Sequence, residues 1–359
     1  MVFYTWGEKA KDKYDPGFGK NIKWDIPLLD GYPYRWVENT SIDPGTHHFK
    51  GIINPGLAGE IELWNADALL VFGWAYRSHL NIIRHFKNKK TVYFRGDSTL
   101  LDNIPGVKNV LKSTWLKSIY KNVHHAFYTG SENKAYFKKY GLKESQLTFA
   151  PHSVDNSYFS ENGVDRSAQL RFELGISDTD ILVLFAGKFE QKKDPQILLS
   201  AINELKEENV HLLMVGNGPL EDALKATASG YKNLHIHWMD FQNQSMMPAI
   251  YHACDLFCLP SCGPGETWGL AVNEAMAAGK AVLVSDKVGC AADLVVPGRT
   301  GEIFIAGNLI DLKEKLVSLI ENKSMLSSFG KNAKDRIASW SVEHQIAAIT
   351  NILNKENAI

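Results

Sequence analysis

The sequence predicts an α/β chain of two domains built on doubly wound parallel sheets, and three observations predict it. Apolar, β-prone runs alternate with helix-forming segments along most of the 359 residues, which is the pattern of βαβ units. That length suffices for two separate cores. One stretch, DLFCLPSCGPGETWGLAVNEAMAAGKAVLVSD (255–286), reads as a complete strand–loop–helix–strand unit. Its loop falls at the carboxyl end of a parallel strand, where open α/β sheets bind ligands.

The chain opens with VFYTW, a strand from residue 2. This apolar run is short and has no basic leader, so no secretory signal is expected. Residues 14–50, rich in Pro, Gly, Asp and aromatics, are expected to form a long irregular loop, and long loops in compact domains usually carry function. Within it, the segment Asp43 to His48 (DPGTHH) is the most reactive piece. The pair His47 and His48 suits orienting an acceptor hydroxyl, and equally suits capping the next helix.

Regular alternation then begins. Helices are predicted over 54–64, 77–86, 111–122 and 132–140, and strands over 68–74, 91–97, 125–130 and 147–152. The strand ends face a cleft, and one of them is Arg95-Gly96-Asp97. Arg95 offers a permanent cation and a planar donor fork to a phosphate or an acidic acceptor; a structural Arg95–Asp97 pair is the plainer reading. The helix 111–122 sets Leu111, Trp115, Leu116, Ile119 and Tyr120 against Lys112, Lys117 and Lys121. Such a helix suits a core with a solvated lysine face, and the same pattern suits an anionic membrane surface. Polar residues 155–165 are expected to be the interdomain linker, followed by a short helix to Leu174.

In the second half, ILVLFAGKF (181–189) is a buried strand ending in Gly187. VHLLMVGNGP (210–219) is a strand with a turn at Gly216 and Gly218, and HIHWMDF (235–241) is a further strand. A helix over 246–253 precedes the 255–286 unit, whose own helix is predicted over 267–278 with Gly279 as its stop. DLVVPGRTGEIF ends in a strand, and helices over 309–321 and 324–338 and to Leu353 close the chain.

Two carboxylates punctuate the 255–286 unit: Glu266 on the loop, and Glu274 eight residues on, about two helical turns away. Thr267-Trp268-Gly269-Leu270 between them offers backbone N–H groups at a helix start, which suit a phosphate. A mid-helix carboxylate suits a ribose diol, accepting from both hydroxyls. Together they suit a nucleotide diphosphate joined to a sugar; a solvated helix with two unrelated glutamates fits the spacing equally well.

ETWGLAVNE resembles the E-x7-E motif of retaining nucleotide-sugar glycosyltransferases with the GT-B fold, glycosyltransferase family 4 in particular. EAMAAGKAVLVSD and DLVVPGRTGEIF fit the same pattern, and the resemblance covers nearly all of residues 180–305. PHSVDNSYF (151–159) is similar to the family's domain junction, with Ser153 where glycine is usual. KFEQKKDP resembles the family's Gly-Arg-…-Lys-Gly signature, with Lys188 in the place of arginine, Lys193 aligned to the lysine and Lys192 beside it.

The resemblance implies two Rossmann-like domains facing a central cleft. Residues 1–160 would bind the acceptor, joined by a terminal helix near 340–359, and residues 165–338 would bind the donor. Nothing at the start of the sequence matches the family's first βα unit, so the resemblance implies either a truncated chain or an N-terminal domain that lacks that unit. Transfer of a hexose from a nucleotide diphosphate sugar to an acceptor hydroxyl is implied, in glycan, polysaccharide or glycolipid synthesis. Lys188 and Lys193 would stabilise the departing diphosphate, Glu266 would hold the sugar hydroxyls and Glu274 the ribose. Gly187, Gly216, Gly218, Trp268, Gly269 and Leu270 would line the donor site. His47, His48, Arg95 and Asp97 fall on the acceptor side. No metal and no cofactor beyond the donor is expected, because cations and a helix dipole neutralise the diphosphate. Two other functions stay open: a non-catalytic nucleotide-sugar-binding relative, and a GT-B sugar-nucleotide epimerase.

Composition bounds the rest. No run of about 18 apolar residues is present. Cys254, Cys258, Cys262 and Cys290 fit no zinc spacing and are expected as reduced thiols of a cytoplasmic protein. Net charge is −1, but the first 150 residues hold 21 Lys and Arg against 14 Asp and Glu, and the remainder 18 against 26. A basic first half suits an anionic partner: an acidic, lipid-linked or glycan acceptor, or the inner face of a membrane. No nucleic-acid motif accompanies it.

Overall fold

The structure, a computed structural model, describes residues 1–8, 13–15, 17–104, 106–232 and 234–357. Two parallel sheets carry it. The first orders its strands Ala68–Phe72, Thr91–Arg95, His125–Tyr128 and Leu147–Phe149. The second orders His235–Met239, Val210–Val215, Ile181–Ala186, Leu256–Leu259, Ala281–Ser285 and Gly301–Phe304. Helices return the chain between successive strands, giving the GT-B arrangement of two Rossmann-like domains across a cleft.

The strands of the second sheet read as continuous apolar runs because helices cover both faces. Ile181–Ala186 and Val210–Val215 are buried along their whole length. One face carries Leu184, Leu213, Phe257 and Val284, and the other Phe185, Leu212, Leu256 and Leu283. Each such side chain contributes about 1.5–3 kcal/mol relative to exposure. The edge strand needs Gly301: its φ is +158°, and a Cβ there would lie 1.8 Å from the Val282 carbonyl oxygen.

The described residues of 14–50 are largely irregular, as expected, but short strands interrupt them. Lys13–Asp15 and Lys20–Ile22 form an antiparallel hairpin, and Tyr34–Trp36 pairs in parallel with Val2–Tyr4. Residues 155–165, the expected linker, are partly helical. Asn156–Glu161 is a helix capped by Asp155, whose carboxylate accepts from Tyr158 N at 2.8 Å, and Val164–Glu173 follows at once. Phe159 anchors that first helix in the core of the second domain.

The chain crosses between the halves twice, and the crossings touch. Val154 bridges Ser341, Ser153 Oγ donates to Gln345 Oε1 at 3.0 Å, and Asn156 Nδ2 donates to Ile337 O at 3.1 Å. Beyond the second crossing, helix Val342–Asn357 lays Ala348, Ile349, Ile352 and Leu353 against Tyr93, Phe127 and Ala150 of the first sheet. Among the described residues, no helix is long and apolar enough to span a membrane.

Candidate active site

The loop after Leu256–Leu259 is bent by glycine. Gly263, Gly265 and Gly269 have φ of +69°, +95° and +95°. Gly269 caps helix Leu270–Ala277, which therefore starts three residues later than its helix-forming composition predicts. A Cβ on Gly269 would lie 2.9 Å from Val288 Cγ1. This bend turns Glu266 inward to 9% exposure. There its carboxylate accepts from Ser261 Oγ at 3.0 Å and pairs with the ammonium of Lys193. Lys193 sits on the 3-10 turn Gln191–Lys193, just past strand Ile181–Ala186. The neighbouring Lys192 turns instead to Glu190, at 3.3 Å.

Eight residues after Glu266, Glu274 is half-buried and accepts from Tyr251 Oη at 2.7 Å. Burial pushes its carboxyl up to about 7, against the opposing effect of that one hydrogen bond. No cation pairs with it among the recorded ion pairs of the described residues. It is therefore a carboxyl poised to exchange a proton near neutrality.

Gly187, Gly216 and Gly218 have a packing role of their own. A Cβ on Gly216 would lie 2.0 Å from Gly187 O, and one on Gly218 would lie 2.6 Å from Phe189 O. The glycines let two strand-end turns nest. Between them Asn217 binds Glu221 and Asp240 through Nδ2, both at 3.0 Å, and accepts from Phe241 N at 2.8 Å.

The first domain reaches this region through its own strand ends. Asp97 accepts from Thr267 Oγ1 at 2.7 Å, and Asp102 accepts from Gly265 N at 2.8 Å. Trp268 is 4% exposed. It donates from Nε1 to Asn273 Oδ1 at 2.8 Å, and its ring fills the space where a Cβ on Gly130 would sit. Leu270 lies on the exposed side of the helix start. Beside these contacts a cavity of about 370 Å³ opens on the first domain, lined by Trp74, Asp102, Asn109, Lys112 and Tyr136, with Thr267 of the second domain at its edge.

Lys188 has a partner that sequence reasoning missed. Its ammonium lies 2.8 Å from Asp15 and 5.1 Å from the centre of the Phe18 ring, both on the N-terminal hairpin. Phe18 in turn packs on Phe241 with ring centres 4.7 Å apart. Both candidate diphosphate cations are thus held by carboxylates, Lys193 by Glu266 and Lys188 by Asp15.

Arg95 is not offered to the cleft. It is 4% exposed, and its guanidinium donates to Ala150 O at 2.7 Å and Pro151 O at 2.9 Å. Burial pulls it down to about 10. Its neighbour His152, also unforeseen, is pulled down to about 4, by burial first and then by the charge of Arg95. The His152 carbonyl accepts from Asn273 Nδ2 at 2.9 Å, which ties the domain junction to the E-x7-E helix. His47 and His48 do not join this group; both rings face Asp43. The four cysteines are free thiols, and Cys254, Cys258 and Cys290 are buried. A Gly-turn signal marked the 13–19 segment, but nothing local to it announces a contact 173 residues away at Lys188.

Residues 167–336 match the protein family described as Glycosyl transferases group 1. The chain is 32% identical over 166 residues to the phosphatidyl-myo-inositol mannosyltransferase of Mycobacterium leprae, covering 45% of this chain and 43% of that one. To the sulfoquinovosyl transferase of Arabidopsis thaliana it is 28% identical over 216 residues, covering 59% and 40%. The chain thus spans less than half the length of these two relatives. Among solved structures, the Anabaena protein HepE in complex with UDP and glucose superposes with a TM-score of 0.68 at 19% identity, covering 84% of this chain and 82% of that one. Sucrose-phosphate synthase from Thermosynechococcus elongatus superposes with 0.69 at 17% identity, covering 84% and 76%.

Proposed function

From a chain whose residues 167–336 belong to the glycosyl transferases group 1 family, we propose a retaining hexosyltransferase that uses a nucleotide diphosphate sugar. The observation that carries this reading is the convergence of Lys193 and Glu266 at the carboxyl ends of two adjacent strands, with Glu274 eight residues after Glu266 in helix Leu270–Ala277. A carboxylate held by a lysine accepts hydrogen bonds from sugar hydroxyls, while the lysine's remaining N–H groups face a phosphate. Lys188 supplies a second cation once a diphosphate replaces Asp15. Glu274 accepts from a ribose diol. These cations and the start of helix Leu270–Ala277 neutralise the leaving group, so no divalent ion is required for that step. The name of one relative includes a lipid acceptor, phosphatidyl-myo-inositol. An acceptor hydroxyl would enter from the cavity that Thr267 edges.

The outer face of the first domain supports an anionic partner, since Arg84, Lys87, Lys89 and Lys121 surround one hollow there. A cytoplasmic enzyme working against the inner face of a membrane is the setting that suits this face. The test is calorimetric titration with UDP, GDP and ADP and their hexose derivatives, on the native chain and on Glu274→Ala. Binding selective for one base that is lost in the variant supports the donor site. The absence of binding to all of them, in a chain verified as folded, overturns it.

A further inference from the structure

Residues 39–53 close into a stiff loop on the first domain. Asn39 staples it: Oδ1 accepts from Ser41 N at 3.1 Å and Ile53 N at 2.9 Å, and Nδ2 donates to Gly51 O at 2.9 Å. Ser41 Oγ lies 2.7 Å from Lys50 O and 3.0 Å from Asp43 O. Gly45 N donates to Gly51 O at 3.1 Å. One close approach makes glycine necessary: a Cβ on Gly51 would lie 2.0 Å from Gly45 O.

This fold gathers three donor atoms. His47 Nε2 lies 3.1 Å and His48 Nε2 lies 3.3 Å from the same oxygen, Asp43 Oδ2. His48 Nε2 is also 2.9 Å from the Asp43 carbonyl oxygen. The three ligand atoms all lie within 4.8 Å of one another. Two imidazole nitrogens and one carboxylate oxygen are a donor set for zinc and its neighbours, not for magnesium. In a tetrahedral site with bonds of about 2.0–2.1 Å, adjacent donor atoms sit about 3.3 Å apart. Two edges of such a tetrahedron are already present.

The geometry points to a divalent transition-metal site formed by Asp43, His47 and His48, with zinc as the fitting ion and a fourth position open to water or another oxygen. Asp43 and His47 are exposed, which leaves that position accessible. The site is separate from the proposed donor site. Tyr76 Oη, 3.4 Å from Thr46 O, places the loop beside the carboxyl end of strand Ala68–Phe72.

The test is calorimetric titration of the chelator-treated full chain with Zn²⁺, repeated with Co²⁺ while its visible absorption is followed. One equivalent should bind, with Co²⁺ giving the intensified bands of a low-coordinate site. His47→Ala, His48→Ala and Asp43→Asn should each weaken binding at least about tenfold, since three-ligand sites depend on every ligand. The described residues hold a second histidine group, His211, His235 and His237, with rings stacked 4.7 and 5.3 Å apart; His211→Ala should leave the stoichiometry unchanged. Thermal unfolding without metal checks that each variant folds. Absence of one-equivalent binding, equal binding by His47→Ala, or loss only in His211→Ala would each overturn the assignment.

Discussion

Replacing Glu274 with glutamine should make this protein more stable at alkaline pH and change it little at acid pH. The carboxyl is half-buried in the second domain with one hydrogen bond, from Tyr251, and burial pushes it up to about 7 from 4.5. A raised acid holds its proton more tightly folded than unfolded, so the folded state binds more protons between those two values. Its contribution is present in full below 4.5 and is lost as pH rises through 7. A displacement of that size corresponds to about 3 kcal/mol, at about 1.4 kcal/mol per pH unit. Partial solvent access reduces this to about 1.5–2 kcal/mol. Glutamine keeps an oxygen for the Tyr251 hydroxyl but never ionises. Urea denaturation of both proteins at pH 5, 7 and 8.5 gives the test. The stability gain of the variant should grow by about 1.5–2 kcal/mol across the series, while nucleotide binding weakens. A gain that stays flat with pH would refute the reasoning, because it would mean that Glu274 ionises alike in both states. The native residue would then be retained at a cost to stability, as functional groups often are.

Three further outcomes follow from the same contacts. Lys193→Ala leaves the Glu266 carboxylate with Ser261 alone, so urea denaturation should show a loss of about 2–4 kcal/mol, mostly restored in the double variant Lys193→Met/Glu266→Gln; a double variant as unstable as the single one would contradict the pairing. Asp15→Asn releases Lys188, and calorimetry with the preferred nucleoside diphosphate should show binding about 3–10-fold tighter, the worth of one half-exposed ion pair; unchanged or weaker binding would show that Asp15 does not compete. Asn273→Ala strands both Trp268 Nε1 and the His152 carbonyl, and at about 1–1.5 kcal/mol for each should cost about 2–3 kcal/mol in thermal or urea unfolding; a loss below about 0.5 kcal/mol would mean that water replaces both bonds.

The sequence made the βα alternation legible because long apolar strands and four-turn helices carry their own periodicity. Helix Arg77–Phe86 has the bounds its pattern predicts. Segment 14–50 was opaque because its strands are three residues long and pair with distant partners, as Tyr34–Trp36 does with Val2–Tyr4. Helix Asn156–Glu161 hid in a polar stretch, since only Phe159 of it is buried. Lys193 and Glu266 were nameable from the motif, but their ion pair was not, since they stand 73 positions apart in the chain. Arg95 misled because a strand-end cation predicts an anion, and the anionic character here comes from two backbone carbonyls. Only the three-dimensional path of residues 150 and 151 reveals that.

The contact between the two chain crossings has a mechanical consequence. Val154 bridges Ser341, Ser153 reaches Gln345, and Arg95 fastens the carbonyls just before them. Two strands lashed together make a single pin, whereas two loose ones would let the halves slide. Motion of one domain against the other is then a swing about that pin, with displacement growing with distance from it. Contacts close to the pin, such as Asn273 on the His152 carbonyl, would be preserved in the swing. Contacts carried on the outlying hairpin, Asp15 on Lys188 and Phe18 on Phe241, would part early. On the proposed reading, a diphosphate that captured Lys188 would release the Asp15 contact by which the hairpin holds the second domain.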